Sequence, residues 1–174
     1  VSETPALVSP NIPSGNRSLK LTAGTFGDMT FQLMDNLVPR VTNHIVDLVQ
    51  GGYYTPTATN AVSFDTVVRD ADLSMIGVGN PVGIGNGFVS SGPVADQFSG
   101  NLRFTSAGLL ALRKASDNSD DSGDGRFFVS GATARNYDFQ NPIFGVMTEG
   151  QSNRKNVNDT ATANSVPTRT IGLS

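Results

Sequence analysis

The feature that most constrains the fold is a change of hydrophobic period along the chain. Between residues 36 and 50 the apolar side chains recur at helical spacing, and they are Val38, Val41, Ile45, Leu48 and Val49. Elsewhere, short runs that alternate apolar and polar residues are separated by segments rich in Gly, Pro and Asn, a pattern typical of strands joined by turns. One amphipathic helix among many short strands predicts a mainly β fold. Closure of that fold into a barrel would remove exposed strand edges.

The boundaries of these elements can be predicted from turn and cap residues. We expect Asp35 or Asn36 to cap the helix, Pro39 to lie in its first turn, and Gly51-Gly52 to end it. A β-hairpin formed by residues 19–22 and 29–33 precedes it. Further strands are predicted at residues 62–68, 73–78, 102–104, 109–112, 127–129 and 143–146. Residues 150–165 are predicted to be loop, and 166–173 a closing strand.

Composition excludes several classes of protein. The length of 174 residues indicates one domain with a substantial core. The net charge is −3 and the lysines and arginines are scattered, so no basic stripe is available to bind nucleic acid. The absence of cysteine excludes disulfides and thiolate metal sites. No apolar run approaches the roughly 18–20 residues that cross a bilayer, so we expect no membrane insertion.

The first eighteen residues differ in composition from the rest. Pro5, Pro10 and Pro13 stand among small polar residues, which predicts an extended linker from a neighbouring domain of the same chain. Residues 19–174 are then the folded domain. Few lysines, with abundant Asn, Thr and Ser, favour a secreted, cell-surface or periplasmic protein.

An ordered set of short motifs resembles the cyclophilins, and in particular those of bacterial type. In chain order the matching segments are VPRVTNH at 38–44, VQGGYY at 49–54, FDTVV at 64–68, MIGVGNP at 75–81, DQF at 96–98, GLLAL at 108–112, GRFFV at 125–129 and IFGVMTEG at 143–150. Each segment is weak evidence by itself. Their common order over residues 19–150 carries the resemblance.

The resemblance implies a closed, eight-stranded antiparallel barrel capped by one or two helices. It also implies a groove on the outer face of the barrel that takes an extended, proline-containing peptide. The cyclophilins are peptidyl-prolyl cis/trans isomerases, in which an arginine beside the prolyl amide stabilises the twisted peptide bond. The uncatalysed barrier is about 18–20 kcal/mol, and a preorganised donor aimed at the changing amide lowers it.

The positions that the resemblance makes catalytic are the ones that depart from the family pattern. The family's His-Arg pair falls on Asp65 and Thr66, and the glutamine that helps to hold the substrate falls on Gly77. The resemblance assigns the peptide-binding groove to Phe64, Met75, Arg113, Lys114, Arg126, Phe128, Tyr137 and Asn141. Of these, the apolar positions are kept and the polar ones are changed. Arg113 or Arg126 is the candidate substitute for the missing arginine.

Two further sets of residues invite a functional interpretation. Asp117, Asp120, Asp121 and Asp124 lie in a Gly- and Ser-rich loop, and clustered carboxylates suit Ca²⁺. The spacing does not match an EF-hand, and a solvated acidic loop is the alternative. His44, the single histidine, stands on the helix face and is predicted to be a partly buried structural residue.

Three functions therefore stay open. The first is a catalytically weak or inactive module that binds proline-containing or acidic peptide segments in a larger protein. The second is an active isomerase that uses a relocated arginine. The third is an extracellular spacer stabilised by Ca²⁺. No organic cofactor is expected for any of them.

Overall fold

The computed structural model describes residues 15–55, 61–69, 74–82, 91–114, 119–163 and 166–167. For residues 61–66, 78–82 and 166–167 this description covers the backbone and not the side chains. In this part of the chain, no helix combines the length and the apolar character needed to cross a membrane.

Nine strands and two α-helices make up the described secondary structure, apart from two short 3-10 turns. The strands are β1 (Ser18–Thr22), β2 (Asp28–Leu33), β3 (Ala61–Arg69), β4 (Ser74–Val82), β5 (Leu109–Leu112), β6 (Phe127–Ser130), β7 (Ile143–Glu149), β8 (Thr162–Ala163) and β9 (Val166–Pro167). The helices are α1 (Pro39–Gln50) and α2 (Gln151–Asn158). The mainly β fold with one strongly amphipathic helix is thereby confirmed.

Seven strands form one antiparallel sheet in the order β1-β2-β7-β5-β6-β4-β3. β8 and β9 form a separate two-stranded sheet, and β9 contacts β3. The described strands do not close by hydrogen bonds between β1 and β3, so the prediction of a closed eight-stranded barrel is confirmed only as an antiparallel sheet. Of the predicted closing strand at 166–173, residues 166–167 lie in β9 and the rest lie outside the described residues.

The core lies on the inner face of this sheet and under α1. β1 and β2 alternate buried and more exposed residues, whereas all four residues of β5 and of β6 are buried. Phe127 and Phe144 are almost completely buried and their rings meet edge to face at 6.2 Å. Their predicted place in the interior is confirmed. Phe64, expected beside them, has its side chain outside the described residues.

The start of α1 corrects one prediction and confirms another. Pro39 occupies the first turn, as expected, but Val38 is the N-cap and no side chain caps the helix. The predicted cap Asp35 instead accepts hydrogen bonds from the backbone N and the guanidinium of Arg17, both at 2.6 Å. Burial opposes ionisation of Asp35, but the bonds from Arg17 outweigh it and lower the pKa of the carboxyl. The carboxylate therefore ties the start of β1 to the entry of α1.

Two predictions based on the apolar pattern were wrong. Residues 150–165, predicted to be loop, contain α2, whose exposed face is polar and whose buried contacts come from Val157 and Arg154. Gly150 starts this helix at φ +94°, and a Cβ there would lie 2.5 Å from the carbonyl oxygen of Asp28. Residues 102–104, predicted to be a strand, form none, although Leu102 and Phe104 are buried.

The acidic loop at 117–125 was predicted to be exposed, and only part of it is. Asp120 and Asp121 are exposed, but residues 123–125 are buried. At Gly125 a Cβ would lie 2.8 Å from the Tyr53 ring, which explains why a glycine is needed for this close approach. The buried Tyr54 hydroxyl donates a hydrogen bond to the carbonyl oxygen of Gly125 and anchors the loop to the end of α1.

This anchor leads to a stability prediction. Tyr54→Phe leaves the Gly125 carbonyl buried without its donor, and we expect a loss of about 1–3 kcal/mol in the free energy of unfolding. Tyr137→Phe removes a half-buried hydroxyl elsewhere and should change stability by no more than about 0.5 kcal/mol. Denaturant titration of both variants measures the difference. Equal stability of the two variants would contradict the anchoring role of Tyr54.

Candidate peptide-binding site

Strand pairing brings three of the sequence-predicted positions into one row across the sheet. Thr66 on β3 pairs with Gly77 on β4, and Gly77 pairs on its other side with Phe128 on β6. Phe128 in turn pairs with Ala111 on β5. Residues paired directly across neighbouring strands lie on the same face of a sheet. This transverse row therefore sets two of the three expected catalytic positions, Thr66 and Gly77, beside the expected apolar floor.

A β-bulge interrupts β3 at the motif that departs from the family pattern. Phe64 pairs with Val78 and Thr66 with Gly77, so Asp65 is the extra residue on β3 in this pairing. Bulges bend a strand and re-aim its side chains, and they are common next to active sites. The side chains of residues 64–66 lie outside the described part of the structure.

The apolar floor of the site is aromatic and largely covered. The ring of Phe128 stacks on that of Phe104, with centroids 5.8 Å apart and planes at 10°. Tyr137 meets Phe104 edge to face at 6.5 Å. Phe128 is 3% exposed and Phe104 is fully buried, whereas Met75 and Tyr137 are half-buried. Met75 and Tyr137 therefore offer the accessible apolar surface of this floor.

Phe104 is a site residue that the sequence analysis missed. It was interpreted as part of a strand, and the resemblance gave it no role. The available signal was an aromatic residue within 102–104, a short apolar run between segments rich in Gly, Ser and Asn. The segment forms no strand, because the backbone N of Phe104 donates at 2.7 Å to the Asp138 carboxylate rather than to a neighbouring strand.

Asn141 has a structural contact in the site. It is buried, and its side-chain amide donates a hydrogen bond of 2.9 Å to the carbonyl oxygen of Leu112 at the end of β5. The backbone N of Leu112 in turn donates to the carbonyl oxygen of Pro142. These two bonds attach the turn that carries Tyr137 to the end of β5, in the middle of the sheet.

The three predicted groove cations make contacts with other parts of the domain. The Lys114 side chain is 3% exposed, and its ammonium lies 2.5 Å from the carboxylate of Asp96 and 3.6 Å from that of Asp120. Arg126 donates to Asp124 from its backbone N at 2.8 Å and from Nε at 3.0 Å. Arg113 is half-buried, and its backbone N donates to the carbonyl oxygen of Arg126. Lys114 and Arg126 thus have carboxylate partners within the domain.

Three of the four predicted calcium ligands lie among the described residues, and each of these has a partner within the chain. Asp124 is bonded to Arg126, and Asp121 accepts a hydrogen bond of 2.6 Å from the backbone N of Asp96. Asp120 is exposed, and Asp117 lies outside the described residues. Where side chains are described, no group of three or more His, Cys, Asp or Glu residues could hold a metal ion.

His44 lies half-buried on α1, as predicted for a structural residue. Within the described structure, its Nε2 atom is buried without a hydrogen-bond partner. Burial lowers the pKa of His44, and the nearby charges of Asp124 and Asp47 oppose this shift without cancelling it. The neutral imidazole is therefore the form that fits the folded protein.

Comparisons with known proteins agree with this geometry. Residues 18–173 match the profile of the family described as cyclophilin type peptidyl-prolyl cis-trans isomerase/CLD. A peptidyl-prolyl cis-trans isomerase-like 1 protein from Rhizopus delemar is 29% identical over 130 residues, which are 74% of this chain and 72% of that protein. The peptidyl-prolyl cis-trans isomerase cypE of Dictyostelium discoideum is 29% identical over 145 residues, covering 82% and 86% of the two chains.

A solved structure shows the same fold. The crystal structure of a Cryptosporidium parvum cyclophilin type peptidyl-prolyl cis-trans isomerase, determined in the presence of the dipeptide Ala-Pro, superimposes with a TM-score of 0.75. The match covers 90% of this chain and 95% of that one, at 20% sequence identity. At this identity, the likeness supports the fold.

The buried Lys114–Asp96 pair leads to a prediction about stability. Lys114→Met leaves the Asp96 carboxylate buried without its cation, and we expect a loss of about 3–5 kcal/mol in the free energy of unfolding. Adding Asp96→Asn should recover part of that loss. Lys155→Met, in an exposed lysine–aspartate pair, should cost about 0–1 kcal/mol. Chemical denaturation of the four proteins tests this, and similar losses for Lys114→Met and Lys155→Met would refute it.

The His44 environment leads to a prediction about pH. Because the folded pKa lies below the usual 6.5, the unfolded chain binds the proton first as pH falls, and stability decreases below about 6.5. His44→Phe and His44→Gln remove this loss. As pH is lowered from about 8 to about 5, the free energy of unfolding of the wild type should therefore decrease relative to that of either variant. This range lies above the acidic range where Asp35 titrates. Parallel pH profiles for the three proteins would rule out this role of His44.

Proposed function

Because the chain belongs to the cyclophilin-type peptidyl-prolyl cis-trans isomerase family, we propose that it binds extended, proline-containing peptides with weak or no isomerase activity. The observation that carries the proposal is the transverse row, in which Thr66 and Gly77 stand beside Phe128. An apolar floor of family type adjoins two positions that cannot supply the family's guanidinium and amide groups.

Binding in this site would depend on apolar contact. A proline ring set against the half-buried side chains of Met75 and Tyr137 would lie over the buried Phe104–Phe128 stack. Such a contact recognises the ground state of the peptide. It supplies no hydrogen-bond donor that strengthens as the prolyl amide twists, and only interactions that strengthen in the transition state accelerate a reaction.

An active isomerase with a relocated arginine is the second candidate. Arg126 stands two residues before Phe128, a spacing that puts both on one face of an extended strand. Its Nε is bonded to Asp124 at 3.0 Å, so the guanidinium has a fixed position. This bond would preorganise an electrostatic donor if the remaining guanidinium nitrogens reached the peptide. Removing Arg126 tests this candidate separately from peptide binding.

The prediction about isomerase activity follows from the transverse row, which lacks the family's guanidinium and amide groups. We expect kcat/KM on a proline tetrapeptide to lie about 10²–10³-fold below that of an active relative, the usual effect of losing one preorganised donor. Thr66→Arg with Asp65→His should restore little, because Gly77 and Arg113 still differ from the family pattern. A protease-free assay of cis/trans exchange by NMR measures activity, and the same titration measures binding.

The outcomes of that assay separate the candidates. Peptide-dependent shifts without faster exchange support a binding module. Exchange as fast as in active relatives would overturn the proposal, and its loss in Arg126→Gln with binding intact would assign catalysis to Arg126. Absence of any shift at millimolar peptide would reject both functions.

A further inference from the structure

An exposed aromatic pair lies outside the floor just described. Among the described residues, the large apolar side chains that are more than a third exposed are Val49, Phe98 and Phe139, at 41%, 38% and 49%. The rings of Phe98 and Phe139 are in contact, edge to face at 6.0 Å. Adjoining exposed aromatic rings are typical of an interaction site, whereas a single exposed apolar residue such as Val49 is ordinary.

The pair is held in place by an ionic network. The Arg103 guanidinium carbon lies 3.9 Å from the centre of the Phe139 ring. The buried carboxylate of Asp138 accepts hydrogen bonds from Arg135 at 2.5 Å and from the backbone N of Phe104 at 2.7 Å. These bonds fix the turn that carries Phe139, and Nε of Arg103 lies 3.8 Å from the same carboxylate.

The backbone of Phe139 supports a functional reason for its exposure. Its φ is +61°, in the left-handed region that non-glycine residues rarely adopt. The turn therefore presents a large ring to solvent at a position where glycine would be more stable. Residues in such strained conformations cluster at ligand-binding sites.

The aromatic pair is carried by chain segments that also contribute to the peptide floor. Arg103 directly precedes Phe104, which stacks on Phe128, and Phe139 follows two residues after Tyr137. The same two segments, residues 98–104 and 135–141, thus supply both surfaces. Because Tyr137 and Phe139 are only two residues apart, an extended peptide over the floor would need few further residues to reach Phe139.

The local charge selects the partner. Arg103 and Arg135 share one carboxylate, that of Asp138, at 3.8 and 2.5 Å. The Phe139 end of the patch therefore has two cations for one carboxylate, whereas at the Phe98 end Lys114 is paired with Asp96 and Asp120. A two-fold dimer through this surface would bring the cations of both copies together, which like charge disfavours, whereas an aromatic ring next to a carboxylate complements the exposed rings and the cations.

We propose that Phe98, Phe139, Arg103 and Arg135 form an extension subsite for an aromatic residue followed by Asp or Glu. The residue belongs to the same extended peptide whose proline lies over the Phe104–Phe128 floor, and in this respect the inference rests on the proposed function. It differs from the acidic-peptide prediction made from sequence, because the cations are Arg103 and Arg135 and not Lys114 or Arg126.

Four kinds of fluorescent peptide test the subsite. The core peptide contains Ala-Pro, and three longer peptides add Phe-Glu, Phe-Gln or Ala-Glu. The added pair stands two to four residues from the proline, and the set is made once with the pair before the proline and once with it after. We expect the Phe-Glu extension to raise affinity about three- to tenfold over the core peptide. The Phe-Gln and Ala-Glu extensions should each gain less. The advantage of Glu over Gln should shrink as salt rises.

Variants assign the gain to the subsite. Phe139→Gly removes the ring and suits the positive φ, so the variant should fold and bind the core peptide normally while losing the gain from Phe-Glu. Arg135→Gln should remove the preference for Glu over Gln. Val49→Ala, which truncates an exposed apolar residue on α1, should change neither. Anisotropy titrations of each variant measure the affinities.

The outcomes separate this proposal from the function on which it rests. Equal affinity for the core and Phe-Glu peptides, or a gain that survives Phe139→Gly, would overturn the subsite while leaving core binding intact. If the Phe-Glu peptide binds while the core peptide does not, and Phe139→Gly abolishes that binding, the subsite is supported and binding at the floor is rejected. Self-association in sedimentation experiments that Phe139→Gly removes would show that a second copy is the partner and would also overturn it.

Discussion

Two consecutive phenylalanines on β6 determine which face of the sheet becomes core and which carries the candidate site. Phe127 points inward and packs edge to face with Tyr54 at 5.8 Å and with Phe144 at 6.2 Å. Phe128 points to the opposite face and stacks on Phe104. Because side chains alternate along a strand, a slip of one residue would exchange the two faces. The register of β6 with β4 and β5 therefore positions both the core and the candidate site.

The charged residues near the site serve mainly to join loops. Lys114 and Asp96 connect the end of β5 to the segment before Phe98, and Asp124 holds Arg126 at the start of β6. A charge in such a pair is already compensated, so it adds little attraction for a peptide. The resemblance locates these positions in a groove, but it cannot show that this chain provides partners of its own for them. For Lys114 that information lies in a contact with Asp96, 18 positions away in sequence, and for Arg126 it lies in the folded position of Asp124, two positions away.

Much of the fold could be predicted from hydrophobic period, and the failures have physical causes. β5 was predicted with its observed bounds, and Pro39 and Phe144 were placed correctly, because burial on one face leaves a clear pattern. α2 was missed, because a helix that buries little more than Val157 and the Arg154 side chain has almost no apolar period. Asp35 was misassigned as a cap, because sequence cannot show that Arg17 competes for its carboxylate. Phe104 was missed because its role depends on stacking with Phe128, a contact in the folded chain that the sequence does not show.

The site illustrates how binding and catalysis can separate on one fold. Apolar contacts with a proline ring are nearly the same in the ground state and in the twisted transition state, so they favour binding without accelerating isomerisation. The positions that discriminate between the two states in the family pattern fall on Thr66 and Gly77, which the sheet sets side by side. Phe104 covers Phe128, while Phe98 and Phe139 remain exposed beyond it. On the functions proposed here, recognition has moved outward along the groove, away from the atoms that would have to act on the prolyl bond.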